Sequence, residues 1–415
     1  MPHEPELTVD LALPGVIAEM TPPDRLHDPH AATAPIPARG VTSVIVMGCV
    51  GLLMLGVQPI VLGALQAAGR LSVPQMGLAA TVETLALGVV SAGMAARVPH
   101  RRLRLWGLAG ALLLILANGM GAVTSGLDFV LSRGLAGAAA GVIVWIAVGL
   151  ITRRHDASRV NAIFLGAQAL SQGAVAALVP ITLGPVLGAN SGLFVIGGGA
   201  LLTLPLLLLI PNRLPEPPAE MKQGSGLQLS SMTGLASGLL MMGGIVGVWV
   251  YVEPIAHTIH IQDKVVSLAI AASLGAQVVG ATAIVALDRW VKPVSGLLVT
   301  AAAFLAVTAV FAWPSSQAAF VAATVAFGLL WTVALSLGLP LLIAADPTRR
   351  APMYGPAATL LGASLGPLAA GAFATDTNMK PALATAAALF VLAALATAVS
   401  ARTRPRGATV DGTRQ

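Results

Sequence analysis

Three charged side chains lie inside stretches that are otherwise apolar, and these side chains are the best candidates for chemistry. Arg133 lies in "LSRGLAGAAAGVIVWIAVGLITRR", residues 131–154, and Glu83 and Glu253 lie in two other apolar stretches. A charge in hydrocarbon costs at least about 2.5–3.5 kcal/mol, so such residues usually face a water-filled cavity or pair with one another. Burial disfavours the charged form of a carboxylate and a nearby arginine favours it. We therefore treat Arg133, Glu83 and Glu253 as candidates for proton coupling or substrate binding.

Each of these charges also has a purely structural interpretation. Arg133 could extend to the membrane surface, Glu83 could form a structural ion pair with Arg133, and Glu253 could be an interfacial residue wetted from outside. Helical rise places Glu83 roughly 12 Å and Arg133 roughly 8 Å from the outer surface, with Glu253 about one turn below it. Counted separately, all three fall in the outer half of the membrane, which suggests a shared polar site.

Four uncharged residues are candidates for the wall of a substrate cavity: Gln58, Trp249, Met242 and Trp331. Gln58 must find a hydrogen-bond partner in hydrocarbon. Core packing explains Met242 and Trp331 equally well, and Trp249 could equally belong, with Tyr251, to an outer aromatic belt. Pro254 predicts a kink in the helix that carries Trp249, because proline removes a backbone donor. We expect no metal site, because no cysteine or further histidine converges on the two histidines that follow Pro254.

The composition indicates what must position these residues. Of 415 residues, 56% are hydrophobic and 10% are charged, and the mean hydropathy is +0.85. Soluble proteins carry about 25% charged residues, and a helix needs about 20 apolar residues to cross a bilayer. The sequence contains twelve such stretches, at 41–66, 75–96, 104–123, 129–151, 158–183, 191–211, 231–256, 265–287, 294–313, 317–344, 351–374 and 381–401. The predicted fold class is an all-α integral membrane protein with twelve transmembrane helices.

The basic residues predict the orientation. With both termini inside, nineteen of the 23 lysines and arginines fall in inner segments, and the outer loops keep only Arg70, Lys264 and Lys380. Positive residues favour the cytoplasmic side, so we expect a multi-pass protein of the inner (plasma) membrane with both termini cytoplasmic. Basic loops facing anionic lipid explain the high isoelectric point, and we expect no nucleic-acid partner.

The longest polar interruption between spans divides the predicted helices six and six. Residues 1–40 hold six acids and eight prolines, a composition typical of a disordered tail. Residues 212–230 are rich in proline, glycine and serine, as linkers are. We predict a disordered cytoplasmic tail (1–40), a six-helix bundle (41–211), a cytoplasmic linker (212–230), a second six-helix bundle (231–401) and a cytoplasmic tail (402–415).

Two motifs resemble those of the major facilitator superfamily. "GMAARVPHRR", residues 93–102, is similar to the family's loop signature G-x-L-A-D-R-x-G-R-R, with Gly93, Arg101 and Arg102 in place and Arg97 where the family has Asp. "SRGLAGAAAG" resembles the fourth-helix signature R-x-L-x-G, with Arg133 in place.

The second half carries a copy of the loop motif in Asp288 and Arg289. The resemblance implies two six-helix halves, gating loops at these two sites, a fourth helix that lines the central cavity, and a role for Arg133 in proton coupling.

The sequence lacks the motifs of an ATP-driven pump or an enzyme. A phosphate-binding loop needs Gly-Lys, but the four lysines follow Met, Asp, Val and Met, and neither H-E-x-x-H nor G-x-S-x-G occurs. We therefore expect no enzyme activity and no cofactor. The leading hypothesis is proton-coupled export of a small, moderately apolar compound by a monomer in the lipid bilayer, as in drug and metabolite proton antiporters.

Two alternatives to export stay open. The first is proton-coupled uptake of an organic anion or other metabolite, with Arg133 holding a carboxylate. The second comes from another class of protein: a membrane sensor that binds its ligand without moving it, or a membrane enzyme.

Overall fold

Twelve long helices form the protein in a computed structural model that describes residues 38–98, 101–154, 157–213, 228–287, 290–314, 316–346 and 351–403. Each of the twelve predicted spans contains one of these helices. They are α1 Ala38–Ala67, α2 Val73–Arg97, α3 Leu103–Val123, α4 Gly126–Thr152, α5 Ala157–Thr182, α6 Ser191–Leu206, α7 Leu229–Trp249, α8 Asp263–Leu287, α9 Pro293–Ala312, α10 Gln317–Ala345, α11 Ala351–Gly371 and α12 Lys380–Arg402. Short helical segments at Gly184–Leu187 and Val252–Thr258 extend α5 and α7.

Eleven of these helices are long and apolar enough to cross a membrane by length and composition. The exception is α11, which has 21 residues but carries Pro356 and Pro367 inside the helix and is diluted by glycine, serine and threonine. Its neighbours explain how it tolerates this composition, because α11 packs closely on α2 and α7. The chain is an all-α integral membrane protein with its helices in two sets of six, α1–α6 and α7–α12.

Because successive helices alternate in direction, the connections fall on two sides. We call the side of the α6–α7 connection the inner side, where the basic residues predict the cytosol. On the outer side, Arg70 follows α1 and joins three connections. Its Nη1 donates to Asn190 Oδ1 at 2.5 Å, and its Nη2 donates to the backbone oxygens of Gly121 and Thr124. These bonds tie the first outer connection to the end of α3 and the start of α6.

Glycines let two pairs of helices approach one another at equivalent places in the two halves. A Cβ atom at Gly137 of α4 would overlap the backbone oxygen of Glu83 in α2, and one at Gly328 of α10 would overlap the backbone oxygen of Ser273 in α8. Small residues allow such close contacts between membrane helices. The second half therefore repeats the α2–α4 contact of the first.

The residues that precede these two glycines also correspond. Eight positions before each glycine lies a fully buried phenylalanine, Phe129 in α4 and Phe320 in α10. Four positions before it lies a fully buried polar residue, Arg133 in α4 but Thr324 in α10. The second half therefore repeats the helix packing of the first half, but it has a neutral residue where the first half has a charged one.

Helix α7 breaks near its outer end. It ends at Trp249, and a short helix begins at Val252. The break lies where Pro254 would disrupt a continuous helix, since a proline lacks the N–H and clashes with the carbonyl four residues earlier, here Val250. The predicted kink is thus a complete interruption, and Pro254 occupies the first turn of the new helix, where proline is tolerated.

Close contacts between the two halves lie towards the outer side. Tyr251 is fully buried, and its hydroxyl donates to the backbone oxygen of Pro367 in α11 at 3.0 Å. A Cβ atom at Gly77 of α2 would overlap this hydroxyl. One turn further along α2, Thr81 donates to the backbone oxygen of Ser364 at 2.6 Å. We refer to these contacts between α2, α11 and Tyr251 as the outer seal.

Candidate functional site

Arg133 and Glu83 form a two-pronged ion pair inside the first half. The Nε of Arg133 donates to Glu83 Oε2 at 3.1 Å, and its Nη2 donates to Oε1 at 2.7 Å. Arg133 has no exposed surface and Glu83 is 5% exposed. The interpretation of Arg133 as a side chain that extends to the membrane surface is therefore wrong. A buried charge pair needs good geometry and further hydrogen bonds to offset lost solvation, and this geometry is two-pronged.

Asn118 supplies a further hydrogen bond, and the sequence interpretation did not assign it to this site. The Nη1 of Arg133 donates to Asn118 Oδ1 at 3.0 Å, while Asn118 Nδ2 donates to the backbone oxygen of Leu114 at 2.8 Å. The ring of Phe129 also lies 5.9 Å from the guanidinium carbon. A polar residue within the apolar helix α3 is a sequence signal that could have indicated Asn118 as a site residue. The sequence does not give the register between α3 and α4, so it does not show that Asn118 meets Arg133.

The corresponding place in the second half is neutral. Ser273 and Thr324 occupy the positions of Glu83 and Arg133 beside the second glycine contact, and both are fully buried. Thr324 donates to the backbone oxygen of Phe320 at 2.9 Å, and Ser273 Oγ has no hydrogen-bond partner among the described residues. The contact equivalent to α2–α4 in the second half thus lacks the ion pair.

Glu253 lies in the short helix Val252–Thr258, which together with α7 we call helix 7, and it is not joined to the Arg133–Glu83 pair. It is 8% exposed and packs against α1, where a Cβ atom at Gly63 would lie 2.6 Å from its carboxyl carbon. Within the described residues, no hydrogen bond or ion pair connects Glu253 to another side chain. The structure therefore separates the three predicted charges into a closed pair and one buried carboxylate at the contact between α1 and helix 7.

Gln58 and Trp249 each carry a buried polar atom that has no hydrogen-bond partner in the part of the chain that the structure describes. Gln58 Oε1 is an unpaired acceptor and Trp249 Nε1 an unpaired donor. Trp249 is fully buried, stacks on Phe327 at 6.3 Å between ring centroids, and meets Trp331 edge-on at 5.6 Å. The interpretation of Trp249 as part of an interfacial aromatic belt is therefore wrong.

Met242 lines a cavity of about 300 Å³ within the second half. The cavity is bounded by α7, α9, α10 and α11 and lies towards the inner side. Within the described ranges, no cluster of histidine, cysteine, aspartate and glutamate could hold a metal ion. The arrangement therefore offers a buried charge pair, an isolated carboxylate, two unpaired polar atoms and an apolar cavity.

The predicted gating loop between α2 and α3 is described in part. Gly93 is half-buried near the inner end of α2, and Arg101 and Arg102 are exposed. Arg102 has a φ of 61°, and the backbone of Arg101 pairs with that of Arg213, which follows α6. Asp288 and Arg289, the predicted second copy, lie outside the described residues.

Comparison with known proteins rests on structure, because no protein-family model and no curated protein sequence matches the chain. The nucleoside transporter NupG (D323A mutant) superimposes with a TM-score of 0.70 at 11% identity, over 87% of this chain and 99% of that chain. A bacterial homologue of the human lysosomal transporter Spinster, in its inward-facing occupied conformation, gives 0.67 at 16% identity, over 91% and 100%.

The human organic anion transporter MFSD10 (TETRAN) gives a TM-score of 0.58 at 16% identity, over 88% of this chain and 100% of that chain. Identities this low establish the fold alone. The resemblance drawn from the motifs at residues 93–102 and 132–141 is confirmed at that level: the chain has the fold of the major facilitator transporters.

Proposed function

We propose that the protein is a secondary active transporter that works by alternating access. The observation that carries this proposal is the outer seal, where the two six-helix halves meet through Tyr251, Gly77 and Pro367 on one side of the protein. Rocking of the halves would open this side and close the opposite one. Such rocking is the transport mode of folds built from two parallel repeats.

Proton coupling is the second element of the proposal, with Glu253 as the proton carrier. Glu83 is held by two hydrogen bonds from Arg133. Glu253 has no such partner and lies against Gly63 at the contact between the halves. Opening of the outer side would separate α1 from helix 7 and expose Glu253 to water, so its protonation would follow the conformation.

We propose export of a small, moderately apolar compound that carries an uncharged polar group. Within the described residues, Gln58 Oε1 is an unpaired buried acceptor and Trp249 Nε1 an unpaired buried donor. Both residues lie on the inner side of the contact between Gly63 and Glu253. A hydroxyl or amide of the substrate would satisfy both atoms.

Uptake of an organic anion has less support. Arg133 was the residue expected to hold a substrate carboxylate, but it already donates three hydrogen bonds to Glu83 and Asn118. A substrate anion would have to displace Glu83 and leave that carboxylate buried without a counter-charge. Transport by a monomer, residence in the plasma membrane with cytoplasmic termini, and the domain boundaries given above complete the proposal.

The test is transport by the purified full chain in proteoliposomes with an imposed pH gradient. We expect neutral, moderately apolar members of a labelled compound panel to move against their gradient, with counter-flow of protons detected by an internal pH dye. Glu253→Gln should abolish accumulation driven by protons and keep exchange of substrate for substrate. Asp128, an exposed carboxylate in the first turn of α4 on the outer side, gives a matched control, and Asp128→Asn should behave as the wild type.

Three results would overturn parts of this proposal. Normal accumulation by Glu253→Gln would remove Glu253 from proton carriage. Movement of anions alone would favour the uptake alternative. Binding of a panel compound without transport, or its chemical conversion, would identify a sensor or an enzyme instead of a transporter.

A further inference from the structure

The cavity of about 300 Å³ in the second half has a definite place between helices. Its wall comes from four helices, with Met242 of α7, Leu297 of α9, Gly338 of α10 and Thr359 of α11 as one representative of each. The volume lies at the lower end of the range for ligand pockets, about 300–1,000 Å³. The cavity is therefore large enough for a small organic molecule.

Glycine contacts between α7 and α11 fix the outer end of this cavity. A Cβ atom at Gly362 would overlap the backbone oxygen of Leu239, and one at Gly366 would overlap that of Gly243. Closer to the inner side, a Cβ atom at Gly238 would meet Thr359 only at an ordinary distance of 3.7 Å. The backbones of α7 and α11 are therefore in close contact towards the outer side and leave more room towards the inner side. The spacing between the two backbones creates the cavity.

Among the residues that the structure describes, the wall of the cavity has no ionisable side chain, and its hydroxyl groups are already engaged. The hydroxyl side chains among these lining residues are Ser237 and Thr359. Ser237 Oγ lies 2.6 Å from Thr397 Oγ1, and Thr359 donates to the backbone oxygens of Gly355 and Pro356 at 3.2 and 3.0 Å. A charged ligand would lose its hydration here without compensation.

We infer that this cavity is a binding site for an uncharged, largely apolar small molecule, held by contact with α7, α10 and α11. The inference deepens the proposed function, since it assigns the apolar body of the exported compound to the second half. A wall without charge selects by exclusion, because an anion or a cation would have to be buried unpaired. Binding itself requires no movement of the halves and can be measured apart from transport.

The experiment uses two naphthalene dyes of the same framework. N-phenyl-1-naphthylamine is neutral, and 8-anilino-1-naphthalenesulfonate adds one negative charge. Binding to the purified full chain in detergent is followed by fluorescence, with protein-free micelles subtracted. We expect one saturable site for the neutral dye and at least tenfold weaker binding of the sulfonate.

Filling the cavity from two opposite walls tests where the dye binds. A Cβ atom at Gly338 would meet no atom within 4 Å, and Gly238 also has room for a side chain. Gly338→Leu and Gly238→Leu should each weaken binding of the neutral dye at least tenfold. Gly275→Leu is the matched control, because Gly275 is an exposed helical glycine of the same half with no atom near its Cβ position. Elution as a monodisperse peak verifies the fold of each variant.

The inference would be overturned by unsaturable binding of the neutral dye, by equal affinity for the sulfonate, or by wild-type affinity in both folded filling variants. Retention of a lipid that co-purifies with the chain and blocks the dye would assign the cavity to a lipid chain and overturn it as well. The inference and the proposed function can be tested separately. Transport without dye binding would contradict only this inference, and dye binding without transport would contradict only the proposed function.

Discussion

At the scale of single residues, the pairing of Arg133 with Glu83 makes each of these side chains dependent on the other. Both are buried, and both lose their charged partner if one is truncated. Removal of one member of a buried pair typically costs about 3–5 kcal/mol, because the remaining charge stays uncompensated. The pair is therefore best tested by a double-mutant cycle.

We expect Arg133→Ala to lower the free energy of unfolding by about 3–5 kcal/mol. Adding Glu83→Gln should restore part of that loss, since no charge is then stranded. The measurement is reversible unfolding in mixed micelles for the two single variants and the double variant. Arg101→Ala, at an exposed arginine, is the control and should change stability by less than about 0.5 kcal/mol. Additive losses in the cycle would mean that the two residues do not interact.

The sequence predicted this pair better than it predicted its surroundings. Depth counted by helical rise placed Arg133 and Glu83 in the same half of the membrane, and the structure joins them. Depth alone also grouped Glu253 with them, although Glu253 lies against Gly63 and is not joined to the pair. Rotation of each helix about its axis decides which residues meet, and a single sequence does not give that rotation.

At the scale of helices, close contacts through Gly137 and Gly328 hold each half together. At both positions, a methyl group would overlap a backbone oxygen of the neighbouring helix, which cannot move aside as a side chain can. We expect Gly137→Ala and Gly328→Ala each to lower the free energy of unfolding by about 1–3 kcal/mol, the usual cost of overpacking. Unfolding in mixed micelles again gives the measurement.

Gly119→Ala is the control for both glycine variants, because no atom lies within 4 Å of its Cβ position. It should be neutral or slightly stabilising, since alanine is favoured over glycine in helices by about 1 kcal/mol. Equal stability of all three variants would show that the helices of each pair can separate without loss, and that the glycine contacts do not stabilise the packing within each half.

Helix boundaries followed from the sequence because hydrocarbon thickness sets a minimum length and proline and glycine mark the ends. The break between Trp249 and Val252 was expected only as a kink at Pro254. Tyr251 was assigned to an interfacial belt, yet it is buried in the outer seal. Gly77 and Gly371 leave the space that its hydroxyl occupies. Because the two glycines are far from Tyr251 in sequence, their contacts with it could not be predicted without the fold.

At the scale of the whole molecule, the orientation in the membrane is the prediction that bears on every functional proposal. Lys264 and Lys292 lie near opposite ends of α8, and both are exposed. In a Cys49→Ala background, Lys264→Cys should react with a thiol reagent that cannot cross the membrane of intact cells. Lys292→Cys should react only after the cells are permeabilised. The reverse pattern would place both termini outside and invert the proposed direction of transport.

The difference between the two halves has a consequence for how such a protein can evolve. The α2–α4 contact and its counterpart share a packing frame, but the first carries Glu83 and Arg133 and the second carries Ser273 and Thr324. Mutations that reshape the uncharged cavity of the second half leave the ion pair untouched. Changes in what the second half binds can therefore accumulate over generations while the Glu83–Arg133 pair of the first half is inherited intact.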